Sequence, residues 1–274
     1  MTSVRRMIPL IVGWERLPKA YSVHDDPSGL QLVEPVPVVL LDTDDGWTLL
    51  DTGLNTALMR DRPLYERLHG RNHEITPILP AGEGEPLERA LAFHGVGLGD
   101  ISRIYLSHLH NDHAGGLRLF DRSVPVWVQR RELDYGLSDH PFPERHGVFR
   151  IDFDDPDIDW RLLDRDAELA PGITAVLTPG HTPGHQSFVI DLPQGRGYVL
   201  AFDAADLREN LDRELAVGGF VRCSAEDTVP PIRKLKAIGE ERGYEVIPGH
   251  DPEVWPALIE ELTPGAPVPL APSK

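Results

Sequence analysis

His108, His110, Asp112 and His113 set three imidazoles and one carboxylate within six consecutive positions of the run Ser107-His108-Leu109-His110-Asn111-Asp112-His113-Ala114-Gly115-Gly116. Imidazole nitrogens and carboxylate oxygens both offer lone pairs to a metal, and a cluster of this kind satisfies a borderline cation such as Zn²⁺. The preceding run Ile101–Leu106 reads as a strand, and extended backbone would carry His108 and His110 on one side. Asp112 and His113 are adjacent and must aim differently, so the chain has to turn. Gly115 and Gly116 permit a close backbone approach, and Leu117–Phe120 can open a helix. One loop can therefore feed two metal positions. A merely solvated polar loop is the alternative, and four potential ligands in six residues outweigh it. The spacing is not that of the helical zinc proteases, which need two His at i and i+4 around a Glu.

Three later positions share this character, each just past a β-like run. His181 sits in Thr178-Pro179-Gly180-His181-Thr182-Pro183-Gly184-His185, where Pro and Gly force a rigid turn. Asp203 ends the apolar run Tyr198–Phe202, and a carboxylate there needs a partner, of which a metal pair is the strongest. His250 lies in Ile247-Pro248-Gly249-His250-Asp251. Asp51 ends another strand in Asp51-Thr52-Gly53, where it can point toward the same site or simply cap a turn.

The elements that must position these residues follow from apolar patterning. Val36–Leu41 and Trp47–Leu50 flank Asp42-Thr43-Asp44-Asp45-Gly46, a hairpin signal. Leu54–Gly84 reads as a long loop with a short helix at Pro63–His69, and Pro86–Phe93 as a helix stopped by Gly95 and Gly97. Strand Val124–Gln129 and helix Arg130–Tyr135 come next, then an irregular acidic stretch, Phe142–Asp166. Strands Ile173–Leu177, Gln186–Leu192 and Gly197–Phe202 precede helix Val229–Arg242, strand Tyr244–Ile247 and helix Glu253–Leu262. With no repeat period, this mixture predicts an α+β fold in which two mixed sheets are sandwiched between helices. One domain is expected over residues 1–262, with a fraying Pro/Ala-rich tail at 263–274.

The 274 residues are 41% hydrophobic and 26% charged, the balance of an ordinary globular protein with a sizeable core. No apolar stretch approaches the ~20 residues that span a bilayer, so no membrane partner is expected. Met7–Trp14 is short and lacks a cleavage site, which points to a cytoplasmic location. The single cysteine, Cys223, excludes an internal disulfide and reads as a small packing residue. A net charge of −17 repels phosphate backbones, which argues against nucleic acid and admits a neutral or cationic small molecule more easily.

The order His108/His110/Asp112/His113, His181, Asp203 and His250, together with Asp51-Thr52-Gly53, resembles the metallo-β-lactamase superfamily from about Val36 to His250. Within it, His-Leu-His-Asn-Asp-His-Ala-Gly-Gly paired with Thr-Pro-Gly-His-Thr-Pro-Gly-His-Gln-Ser is similar to the N-acyl homoserine lactone lactonases, which quench quorum signals. The resemblance implies an αββα four-layer sandwich and a dinuclear site for two divalent metal ions, zinc foremost, with iron, manganese or cobalt as alternatives. It implies that His108, His110 and His181 hold one ion, that Asp112, His113 and His250 hold the other, and that Asp203 bridges them. Asp51 would orient the ligands without touching the metal, and His185 would remain structural. The implied reaction is opening of a neutral lactone by a hydroxide that the metal pair generates, with Asp112 carrying a proton to the leaving oxygen. Hydrolysis of another cyclic or activated ester, thioester or amide is the alternative, and a metal-binding sensor without turnover is the non-enzyme reading.

Sister branches fit less well. A Cys-ligated β-lactamase would have its Cys at Asp203, and a flavodiiron protein would have Glu at His110. Little chain follows His250 to build the helical domain of the hydroxyacylglutathione hydrolases. Lactonases of this branch commonly carry a Tyr three residues after the bridging Asp, where this chain has Asp206. An ionised Asp206 cannot donate a hydrogen bond and would repel an oxyanion. Either another donor replaces the Tyr, or Asp206 turns outward, or the substrate differs. Trp14, Tyr21, Leu64, Tyr65, Phe142, Phe149 and Phe220 are candidates for an apolar acyl groove. Met7–Tyr21 could seal a homodimer, as in relatives of this branch.

Overall fold

Alternation along the strands dictates the layers. In β2 (Gln31–Thr43), Val36, Val38 and Leu40 join one apolar cluster while Val39 and Leu41 join another. Successive side chains of a strand point to opposite faces, so a strand apolar on both faces has to be covered on both. A computed structural model describes residues 3–71, 74–138 and 142–271 and shows how. The first sheet contains β1 (Val4–Pro18), β2, β3 (Gly46–Leu50), β4 (Thr76–Ile78), β5 (Ile101–Tyr105), β6 (Val126–Gln129) and β7 (Trp160–Leu163). Their order is β4-β1-β2-β3-β5-β6-β7, antiparallel through β3 and parallel from β3 to β7. The second sheet, ordered β12-β11-β10-β9-β8, is built from β8 (Ala167–Ala170), β9 (Ile173–Leu177), β10 (Gln186–Asp191), β11 (Gly197–Phe202) and β12 (Glu245–Pro248), with only β11–β12 parallel.

Helices cover the two outer faces. On the first sheet these include α3 (Pro86–Phe93) and α5 (Arg130–Gly136), which bring Leu87, Leu91, Leu133 and Tyr135 to the outer cluster. Between the sheets, Met7, Ile11, Val39, Leu41 and Leu50 meet Phe188, Ile190, Leu200 and Phe202. On the far side Val189, Val199 and Ala201 meet Ile232 and Leu235 of α9 (Ala225–Arg242). The four layers are those of the metallo-β-lactamase fold, as the residue pattern and the resemblance predict.

Several elements differ from the sequence reading. Met7–Trp14, read as a short apolar segment, lies within a fifteen-residue strand, because β1 pairs with β2 along its length and takes up a bulge between Ile11 and Gly13. Its apolar residues are covered by the chain's own sheets, so they do not require a partner subunit. The long loop after Leu54 contains, besides the expected short helix, which is α2 (Arg62–Leu68) capped by Asp61, a further helix α1 (Thr56–Arg60), capped by the Asn55 side chain, and β4. The acidic stretch contains α6 (Phe142–Arg145), α7 (Arg150–Phe153) and β7. Strand β8 and helix α8 (Arg208–Arg213) were not expected. Leu117–Phe120 opens only a 3-10 turn, Leu117–Leu119, after the one-turn helix α4 (Asn111–Ala114). The tail does not simply fray, since Ala266 and Val268 pack against the inter-sheet cluster. Residues 272–274 lie outside the described part.

A buried polar network braces the segment after β3. Arg118 Nε donates to Asn55 Oδ1 at 2.7 Å, and Asn55 Nδ2 donates to Asp152 Oδ1 at 2.6 Å. Burial pushes the Asp152 carboxyl up to about 7, against the pull of that hydrogen bond and of Arg118. Its pKa is therefore higher folded than unfolded, so the stability it contributes is present below about pH 4 and lost as pH rises through about 7. Asp152→Asn should flatten this slope, leaving the variant more stable than wild type at pH 8 and not at pH 4.5, by on the order of 2–4 kcal/mol in the difference. Urea titrations at the two pH values check it; parallel pH profiles would refute it.

Candidate metal centre

All the predicted ligands follow the ends of strands, where an α/β architecture collects its functional groups. The loop after β5 delivers His108, His110, Asp112 and His113. The turn after β9 delivers His181, the end of β11 delivers Asp203, and the end of β12 delivers His250. Gly115 and Gly116 let the first loop lie against the segment after β3, since a Cβ on Gly115 would meet Asn55 N at 2.3 Å and one on Gly116 would meet Thr52 O at 2.2 Å. Phe202 holds a left-handed φ of 47°, an uncommon state for a bulky residue. The strained turn ends β11 and precedes Asp203; strain of this kind gathers at functional sites.

The seven residues converge. His108, His110, His181 and Asp203 each bring a potential ligand atom within 4.8 Å of the others, and Asp112, His113 and His250 do the same. None of the seven is more than 8% exposed. Asp203 stands between the sets: Oδ1 lies 3.1 Å from both His113 Nε2 and His250 Nε2, and Oδ2 lies 3.2 Å from His181 Nε2 and 3.6 Å from His108 Nε2.

A second ring of contacts fixes which nitrogen three of the imidazoles turn inward. His113 Nδ1 lies 2.7 Å from Asp51 Oδ2, and His250 Nδ1 lies 2.8 Å from the Pro35 carbonyl, so each donates outward and keeps its Nε2 lone pair for the centre. His108 Nδ1 lies 3.0 Å from Ser107 Oγ. Asp51 also accepts from Ser107 N and Ser107 Oγ, both at 2.7 Å, which ties the end of β3 to the ligand loop. Asp51 is fully buried and touches His113 on the side away from Asp203.

These residues fit a pair of cations. The buried Nε2 atoms of His108, His110 and His113 have no hydrogen-bond partner, although carboxylate oxygens stand 3.1 Å from His113 Nε2. His110 Nδ1 and His181 Nε2 face each other at 2.8 Å. Orphaned lone pairs of this kind are costly in a protein interior and are satisfied by a metal. Burial, reinforced by neighbouring imidazoles, holds His108 and His181 well below the usual histidine range, so they are neutral and ready to ligate. Asp203 is held well below the carboxylate range by His113 and His250 despite its burial.

The remaining expectations sort cleanly. A cavity of about 420 Å³ opens on the centre, and Tyr21, Phe149 and Phe220 line it together with Asp112, Asp203 and Asp206. Trp14 does not line it: the alternation of β1 turns it into the layer between the sheets. Leu64 packs against Leu58, Leu68 and Phe149, and Tyr65 stacks on His69 at 5.0 Å. The side chain of Phe142 lies outside the described residues. His185, fully buried, pairs through Nδ1 with Thr178 Oγ1 at 2.9 Å and belongs to neither ligand set. Asp206 does not turn outward: it is 5% exposed and groups with Asp203 and His250.

Sequence reasoning missed Glu15, Glu34, His69 and Glu132. The signal for Glu15 and Glu34 was a carboxylate inside an otherwise apolar strand. Both line the cavity, as does His69, which burial lowers to about 4. Burial pushes Glu34 up to about 7. Glu132 showed no signal, since it looks like any helix-surface Glu.

The comparisons agree with this geometry. A family model described as Metallo-beta-lactamase superfamily matches residues 32–201. The chain is 34% identical to N-acyl homoserine lactonase AttM of Azorhizobium caulinodans, over 82% of this chain and 84% of that protein. It is 30% identical to N-acyl homoserine lactonase AiiA of Bacillus thuringiensis subsp. kurstaki, over 80% and 82%. A solved N-acyl homoserine lactone hydrolase, with the product N-hexanoyl-L-homoserine bound at its catalytic metal center, superposes with a TM-score of 0.79 at 29% identity, covering 92% of this chain and 95% of that one.

Proposed function

We infer that this chain, which belongs to the metallo-beta-lactamase superfamily, is a metal-dependent hydrolase that opens the ring of lactones, N-acyl homoserine lactones in particular. The observation that carries the reading is the convergence of seven buried ligands, with the outward ring nitrogens of His108, His113 and His250 tied off from behind. His108, His110 and His181 would hold one divalent ion and Asp112, His113 and His250 the other, with Asp203 shared. The His-rich set suits zinc. Bound there, the ions supply Lewis acidity, polarising a carbonyl and lowering the pKa of a nearby water.

The chain's own groups do the rest. Asp51 keeps the His113 imidazole in the tautomer that presents Nε2. Asp112, held at about 2 by His113 and His250 against the cost of burial, stays a carboxylate on the cavity lining, where it can take a proton from one side of the reaction and return it to the departing ring oxygen. A cavity of about 420 Å³ accommodates a lactone with a short substituent. Among the described residues no helix is long and apolar enough to cross a membrane. Action in the cytoplasm, by one domain over residues 1–262, is part of the proposal, supported by the single cysteine.

Chelation tests it directly. Stripping the ions should lower hydrolysis of N-hexanoyl homoserine lactone by about 10³-fold or more, and zinc should restore it. Full turnover in metal-free protein would refute the reading.

A further inference from the structure

Three carboxylates on the cavity lining stand outside the two ligand sets proposed above. Glu15 on β1 and Glu34 on β2 are directly opposite in the strand register, so two like charges face each other across the ladder, normally a destabilising arrangement. Asp206 stands beside Asp203 and His250. Glu34, 3% exposed, accepts one hydrogen bond, from Ser22 Oγ at 2.5 Å. Glu15 Oε1 and Asp206 Oδ1 are buried and without a hydrogen-bond partner, and Asp206 as a whole is 5% exposed.

Other buried carboxylates range from Asp152, which accepts one hydrogen bond and leaves Oδ2 without a partner, to Asp51 and Glu132, which are well supplied. Asp51 accepts three hydrogen bonds and Glu132 accepts three. Holding such a carboxyl ionised costs several kcal/mol unless positive charge or donors arrive; otherwise it takes up a proton, and a bound cation would draw it back to the carboxylate. Among the described residues six carboxylates line the cavity against one arginine, Arg145. The same lining carries Tyr21, Phe149 and Phe220, whose ring faces attract alkylated ammonium groups. Gly219, next to Phe220, lies near both Tyr21 and His181, which sets these aromatics beside the metal ligands.

Resting on the lactone-hydrolase reading, we propose that Glu15, Glu34 and Asp206 form a recognition wall for positive charge, and that the preferred lactone carries an ammonium group on its substituent in place of a plain apolar acyl chain.

An isosteric pair tests this. Homoserine lactone acylated with trimethylammonioacetate and with 3,3-dimethylbutanoate differ only in a quaternary nitrogen replacing a quaternary carbon, and the charge does not titrate. For the metal-loaded enzyme, kcat/KM should favour the cationic lactone by about tenfold or more. Glu34→Gln and Glu15→Gln should each lower that ratio several-fold. The ratio does not depend on the fraction of protein that folds, so a poorly folding variant still reports. A wild-type ratio of one or less, or a ratio unmoved in the double variant, overturns the proposal. Hydrolysis of N-hexanoyl homoserine lactone alongside such a result leaves the lactonase reading standing. If no lactone is opened, that reading fails, and calorimetric binding of the same pair decides: about tenfold tighter binding of the cationic member supports the wall and equal binding overturns it.

Discussion

Replacing Asp203 by Asn is expected to abolish turnover, by about 10³-fold or more, and to reduce metal content from two ions per chain to one or none. The substitution is nearly isosteric, so the fold has no steric reason to change. What it removes is the ability to face two ligand sets at once. One carboxylate oxygen lies against His113 and His250 and the other against His181 and His108. An amide keeps one oxygen and turns two N–H donors toward the opposite set, where a cation would sit. Metal analysis and lactone hydrolysis on one preparation check the result. Two bound ions with wild-type turnover would show that Asp203 does not bridge.

The His-rich loop was legible because its ligands are local. Four side chains within six positions announce themselves without any knowledge of the fold. The distant ligands were legible only as a set, since His181, Asp203 and His250 each look like an ordinary residue at the end of a strand. Strands could be read wherever apolar residues run together, as at Val36–Leu41 of β2 and at β10. The reading failed in β1, where Pro9, Gly13 and Glu15 interrupt the pattern and a bulge shifts the register after Ile11. That failure hid Glu15, and it also misplaced Trp14, which looked like a groove residue while its strand was unrecognised. Within 54–84 the short helix at Pro63–His69 was legible and is α2, while α1 and the helices within 142–166 escaped because they are about one turn long and held by tertiary contacts and caps, which periodicity does not report.

Glu132 is the sharper case, because nothing local marks it and its removal should be costly. Fully buried on α5, it accepts from Leu109 N at 3.1 Å through Oε1, and from Thr182 Oγ1 at 2.7 Å and Gly184 N at 3.0 Å through Oε2. Leu109 lies between His108 and His110, and Thr182 follows His181. One carboxylate therefore ties together the two loops that carry His108, His110 and His181, the residues proposed to share one ion. The approach is close enough that a Cβ on Gly184 would come 2.2 Å from Glu132 N. Glu132→Ala leaves three donors unsatisfied in an enclosed space, at roughly 1–3 kcal/mol each, and should lower the melting temperature by on the order of 10 °C. Glu132→Gln keeps one acceptor oxygen but presents N–H groups to a donor, so its cost should be smaller. A purely structural role would stop there. A positioning role predicts in addition that the ion held by His108, His110 and His181 is weakened by about 10- to 100-fold, as for other residues that orient ligands, while the ion held by Asp112, His113 and His250 is largely spared. Competition with a chromophoric chelator separates the two losses, because the first ion should leave at much lower chelator concentration in both variants. If both ions in the folded Gln variant resist chelation as they do in wild type, Glu132 braces the fold without positioning the ligands.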